Sequence, residues 1–189
     1  MLDWLGVIFL EFVQPIRDKK QIDNMKRYLK EKNERDYVLF VLGINSGLRI
    51  SDLLPLTVED VKEKERITVR EKKTGKTKDF PLSINCKKAL AEYLKDKETG
   101  YLFASRKGSK PISRQQAYDI LNTAARAVGI NDKIGTHTLR KTFGYWAYKQ
   151  GISLEIIQKL LNHSAPSVTL RYLGITQDEL DSVYINLNL

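Results

Sequence analysis

Thr136 to Tyr172 reads THTLRKTFGYWAYKQGISLEIIQKLLNHSAPSVTLRY, and the rest of the chain is arranged around it. His137-Thr138-Leu139-Arg140 opens a helical stretch from Thr136 to Gln150, with Gly151 as its stop. Ser153 starts a second helix to Leu161, and the loop Asn162 to Pro166 leads into a short helix from Ser167 that carries Tyr172. The chain has only two histidines, and both lie here, His137 beside Arg140 and His163 nine residues before Tyr172. A basic chain that keeps its imidazoles next to an arginine and a tyrosine points to phosphoryl transfer on nucleic acid.

Composition agrees with a polyanionic partner. At 189 residues the chain can bury a real core as one domain with a short appendage. Hydrophobic residues at 42% and charged residues at 29% argue against wholesale disorder. The net charge of +9, with a pI near 9.5, predicts attraction to a polyanion, of which nucleic acid is the commonest. A single cysteine, Cys86, excludes an internal disulfide framework and a Cys-based zinc site, and suits a reducing cytoplasm. The apolar segment Met1 to Val13 lacks the positive flank and cleavage site of a signal peptide. It is also short of the about 20 apolar residues that a membrane span needs. Residues 1–15 therefore read as a packing arm or linker stub, with no membrane partner expected.

Working outward from the central stretch, Lys19 to Lys32 has Ile22, Met25 and Leu29 at helical spacing. Tyr37 to Ile44 is apolar nearly all round and predicts a buried helix ended by Ser46-Gly47, with Arg49 directly after the turn and a short helical piece from Ile50 to Leu54. Arg66 to Arg70 and Lys78 to Leu82 read as two strands joined by a turn through Lys73-Thr74-Gly75-Lys76. Ser83 caps a helix to about Lys95, and Ser113 caps another to about Val128. Thr176 and Glu179 make a capping-box pair ahead of a tail helix over 176–189. The fold class expected is α+β, mainly α-helical with one small antiparallel β-sheet.

A phosphodiester gains negative charge as a nucleophile attacks, and two guanidiniums reaching its non-bridging oxygens would offset that charge. Arg49 and Arg140 are the candidate pair, and Asp52, three residues after Arg49, would share its helical face and orient it. Tyr172 is the candidate nucleophile; its hydroxyl, with an ordinary pKa of about 10, needs a proton acceptor or a cationic surround. His137 can accept that proton and His163 can donate to a phosphate oxygen. The leaving 5′-oxygen needs a proton, and Lys73 on the hairpin is the chosen donor among its neighbours Lys72, Lys76 and Lys78. Lys72, Lys76, Lys78, Arg106, Lys107, Arg114 and Lys141 are the expected DNA contacts. No metal-ligand cluster, P-loop or dinucleotide fingerprint is present in the sequence, and a tyrosine nucleophile stores the bond energy covalently, so no cofactor is expected.

These pieces resemble the tyrosine recombinases, the family that includes phage integrases and Xer proteins. The resemblance rests on Ser46-Gly47-Leu48-Arg49-Ile50-Ser51-Asp52-Leu53, Lys73-Thr74-Gly75, His137-Thr138-Leu139-Arg140, Leu161-Asn162-His163 and Arg171-Tyr172, in the family's order and spacing over a catalytic domain of 16–175. It implies site-specific DNA recombination through a 3′-phosphotyrosyl link to Tyr172, with Arg49, Lys73, His137, Arg140, His163 and Tyr172 forming the active site. It further implies double-stranded DNA as partner and a homo-oligomer, a tetramer on two duplexes, with the C-terminal tail docking on a neighbour or folding back. The setting implied is cytoplasmic and nucleoid-associated, in a bacterium or phage. Two departures stand out: Asn162 replaces the family's usual glycine, and only Met1 to Pro15 precede the catalytic part where a DNA-clamping domain is usual. Asn tolerates left-handed backbone angles, so the turn is expected to survive. The short N-terminus keeps alive the alternatives of a fragment, a minimal enzyme, or a non-catalytic DNA-binding relic, and a type IB topoisomerase ranks behind these.

Overall fold

The computed structural model describes residues 13–107, 109–174 and 185. Its elements follow in the order α1 (Lys19–Lys32), α2 (Glu34–Ser46), α3 (Ile50–Leu53), β1 (Arg66–Arg70), β2 (Thr77–Pro81), α4 (Ile84–Tyr93), α5 (Arg114–Ala127), α6 (Thr136–Lys149), α7 (Leu154–Leu160) and α8 (Pro166–Leu173). The expected class, mainly helical with one antiparallel hairpin, is what the chain adopts. Among the described residues no helix is long and apolar enough to cross a membrane. The tail helix expected over 176–189, apart from residue 185, and most of the N-terminal arm lie outside the described residues.

The α2 helix is central because it is apolar on nearly every side. Val38 to Leu42 are all buried, and α1, α4 and α6 pack around them. It begins at Glu34, earlier than the apolar run suggests. Asn33 caps it by accepting from the Arg35 amide, and Glu34 and Asp36 sit favourably at the positive end of the helix dipole. Its far end needs a glycine twice over. Gly47 takes φ 59°, and a Cβ there would lie 2.5 Å from Phe143 of α6. That sharp exit delivers Arg49 to the N-cap position of α3.

The hairpin pairs Arg66 with Pro81 and Arg70 with Thr77, so β2 starts one residue earlier than expected. Register fixes the side chains: Ile67, Val69, Lys78 and Phe80 face inward, and their neighbours face solvent. Behind the main core, Ile157, Leu161 and Leu173 form a small second cluster against Phe143, Tyr148 and Tyr172. The helices α6, α7 and α8 enclose it, and it seats the tyrosine-bearing helix. On the other side the extended segment before α1 is stitched to α6. The Ile16 amide donates to Thr142 Oγ1 at 2.9 Å, and Trp146 Nε1 donates to the Ile16 carbonyl at 3.0 Å.

Candidate active site

Arg140 is the anchor. It is 2% exposed, in the second turn of α6, and its Nη1 donates to the Gly47 carbonyl at 2.7 Å while Nη2 donates to the Leu161 carbonyl. One guanidinium thus joins the end of α2 to the end of α7, and the chain ends that carry Arg49 and His163 are held around it. Burial lowers its pKa, but arginine stays cationic at any physiological pH. Arg49 Nη1 lies 2.8 Å from Glu71 Oε1, and Arg140 Nη1 lies 3.7 Å from the same oxygen. The Arg49 contact is an ion pair without hydrogen-bond alignment, so Arg49 Nη1 and Glu71 Oε1 are both buried with hydrogen-bonding capacity unused.

Asp52 does something other than expected. Its buried Oδ1 accepts from the Lys72 backbone amide at 2.9 Å, which ties the hairpin to α3, while the carboxylate against Arg49 belongs to Glu71. Lys78 also departs from its expected place as a surface contact. It occupies an inward position of β2, its Nζ donates to the Ser46 carbonyl at 2.8 Å, and burial followed by the Arg140 charge lowers its pKa to about 8. Lys141 is likewise buried, with its Nζ 5.3 Å from the centre of the Tyr172 ring. Lys72, Lys73, Lys76, Arg106, Lys107 and Arg114 are exposed.

Asn162 takes φ 47°, so the turn before His163 survives in left-handed conformation, as its residue type allows. The Asn162 side chain has a task as well: Nδ2 donates to Glu71 Oε2 at 2.9 Å. His163 Nδ1 pairs with the buried Thr169 hydroxyl at 3.1 Å, and its ring meets that of Tyr172 edge-on at 4.9 Å. Burial, then the charges of Arg140 and Arg49, lower its pKa to about 4, so the imidazole is neutral at pH 7. His137 stands at the exposed start of α6. Partial enclosure and the charges of Arg114, Arg140, Lys141 and Lys73 lower its pKa too.

Among the described residues, the Tyr172 hydroxyl is buried without a hydrogen-bond partner. Burial raises its pKa to about 12 even though Arg140 and Arg49 pull it down. The fold therefore gathers Arg49, Arg140, His163 and Tyr172 into one electrostatic neighbourhood, with His137 and Lys73 at its rim. A cavity of about 450 Å³ lined by Val61, Leu82, Leu90 and Leu94 contains none of these groups. Sequence reasoning missed Glu71, the tether from Asn162, and the inward course of Lys78. Period-two alternation carried a signal for two of them, since Ile67, Val69 and Glu71 continue one face, and Lys78 and Phe80 share another.

The chain is similar to known proteins in both sequence and fold. The phage integrase family profile matches residues 17–179. A probable integrase/recombinase, YoeC of Bacillus subtilis (strain 168), is 50% identical over 176 residues, covering 93% of this chain and 97% of its own. The tyrosine recombinase XerA of Pyrococcus furiosus is 30% identical, covering 90% of this chain, which spans 61% of XerA's length. In fold, a crystal structure of XerA recombinase aligns with a TM-score of 0.77 at 23% identity, over 93% of this chain and 66% of that one. The Tn1549 transposon integrase, solved in complex with transposon right end DNA, aligns with a TM-score of 0.74 at 18% identity, over 96% of this chain and 68% of that one. The profile spans nearly all of the chain and the relatives agree with it, so this protein belongs to the phage integrase family of tyrosine recombinases.

Proposed function

We propose that the chain recombines double-stranded DNA at specific sites by a metal-free and ATP-free transfer through Tyr172. The Tyr172 oxygen attacks a backbone phosphorus. A 3′-phosphotyrosyl bond forms, the bond from phosphorus to the 5′-oxygen breaks, and energy is conserved for religation. Arg49 and Arg140 face the non-bridging oxygens and offset the charge that develops on them. The tyrosine proton passes to His137, His163 donates a hydrogen bond to a phosphate oxygen, and Lys73 protonates the leaving 5′-oxygen. A 5′-hydroxyl from a partner duplex then attacks the phosphotyrosine and reverses the step. Lys72, Lys76, Arg106, Lys107 and Arg114 track the flanking phosphates, and four protomers act around two duplexes with the C-terminal segment docking between them.

One observation carries this reading: among the described residues, Tyr172 Oη is buried without a hydrogen-bond partner, in a neighbourhood made positive by Arg140 and Arg49. Leaving a buried hydroxyl unpaired is costly unless a ligand completes it, and a phosphate has the oxygens to do so. The test is covalent capture on a pool of nicked duplexes with randomised cores. The expected result is a DNA adduct that survives denaturation and maps to Tyr172 by peptide sequencing. DNA binding without any adduct would leave only a binding module, and an adduct on another residue would reject the assignment.

A further inference from the structure

We propose that Glu71 is a positioning residue, tethered by Asn162, that sets the spacing of Arg49 and Arg140 and couples them to the hairpin and to the turn before His163. The inference rests on the reaction proposed above and centres on Glu71, a residue outside the motifs that carry the family resemblance. Glu71 is 1% exposed, and its two oxygens have different tasks. Oε2 accepts from Thr74 Oγ1 at 2.7 Å and from Asn162 Nδ2 at 2.9 Å. Oε1 turns to the two guanidiniums, 2.8 Å from Arg49 and 3.7 Å from Arg140.

Two cations this close, one buried and one half-buried, repel each other unless an anion lies between them, and Glu71 supplies it in the DNA-free protein. Burial works to raise its pKa, but hydrogen bonds from Thr74 and Asn162 and the Arg49 charge outweigh it, so the carboxylate is ionised. Its contacts reach Thr74, next to Lys73, and Asn162, next to His163. A single carboxylate therefore touches every segment that brings a proposed catalytic cation or the second imidazole to the phosphate. The left-handed backbone at Asn162 aims its amide into this network, which a glycine at the same place could not supply.

A passive counter-ion would predict the opposite kinetics. A carboxylate that merely occupied the phosphate's place would slow cleavage, and its removal would speed it. Single-turnover cleavage of a nicked duplex recovered in the capture experiment separates the two. A misplacement of about 1 Å costs about 100-fold, so Glu71→Ala is expected to lower the maximal rate by about 30- to 100-fold at saturating DNA while half-saturation is nearly unchanged. Glu71→Gln keeps the shape and, with the Asn162 amide turned over, both tethers, but not the charge between the guanidiniums, so only part of the rate should return. Asn162→Gly suits the backbone and should leave thermal stability intact while slowing cleavage about 10-fold. Glu71→Ala that cleaves as fast as the native chain or faster, or Asn162→Gly with an unaltered rate, overturns the proposal. If the native chain forms no adduct, the reaction itself is wrong, and the positioning claim is judged by NMR of the arginine side chains. Slowed guanidinium rotation at Arg49 and Arg140 that is lost in Asn162→Gly supports it, and unchanged spectra reject it.

Discussion

Replacing Tyr172 by phenylalanine should make the DNA-free protein more stable while removing its chemistry. The hydroxyl is enclosed with no hydrogen-bond partner among the described residues, and burial holds its pKa near 12. An unsatisfied buried hydroxyl costs about 1–3 kcal/mol, and part of that is recovered when the group is deleted without changing the ring's packing. The ring itself stays in place against Leu173, Leu161 and the His163 edge. The favourable pull of Arg140 on the hydroxyl offsets some of the gain, which leaves about 1 kcal/mol. For a chain of this size that corresponds to a rise in Tm of about 2–4 °C. Differential scanning calorimetry without DNA reads the stability, and a denaturing gel with the captured duplex reads the adduct. A fall in Tm would mean that the hydroxyl is satisfied in the free protein, and an adduct that persists would move the nucleophile elsewhere. Either result breaks the link between an orphaned hydroxyl and a waiting phosphate.

Other perturbations test separate parts of the site. Arg140→Ala strips the Gly47 and Leu161 carbonyls of their donor, so it should cost about 2–4 kcal/mol of stability in urea titration. The same change should cut cleavage by about 100- to 1,000-fold, and stability lost with full cleavage retained would make Arg140 purely architectural. Lys73→Ala should slow cleavage of ordinary DNA but not of a duplex with a 5′-bridging sulfur, because a thiol, with a pKa of about 8.5, departs without a donated proton. An equal defect on both substrates would take Lys73 out of the proton-donor role. The His163 pKa, depressed to about 4 by burial, predicts stability that is fully present above about pH 6.5 and lost as pH falls toward 4, because the unfolded chain takes up the proton first. His163→Gln should shrink the difference in urea midpoint between pH 7 and pH 5, and an unchanged difference would place the titration on another group.

The helices could be read from the chain because their causes are local. Ser83 and Ser113 cap α4 and α5 where expected, Ile22, Met25 and Leu29 repeat at the helical period, and Gly47 stops α2 with the left-handed turn that its lack of a side chain allows. The identities of Arg49, His137, Arg140, His163 and Tyr172 as candidates were also legible, since their types and order carry the family resemblance. The internal wiring of the site was not. Asn162 and Glu71 are 91 positions apart, and Arg140 reaches Gly47 across 93. Lys78 and Lys72 stand six residues apart on one hairpin. Strand pairing and the burial of the hairpin's inner face send the first inward to Ser46 and leave the second in solvent. Periodicity and capping act within a few residues, so a sequence expresses them directly. A charge's neighbours and its degree of burial depend on which distant segments pack around it, and only the folded chain determines those.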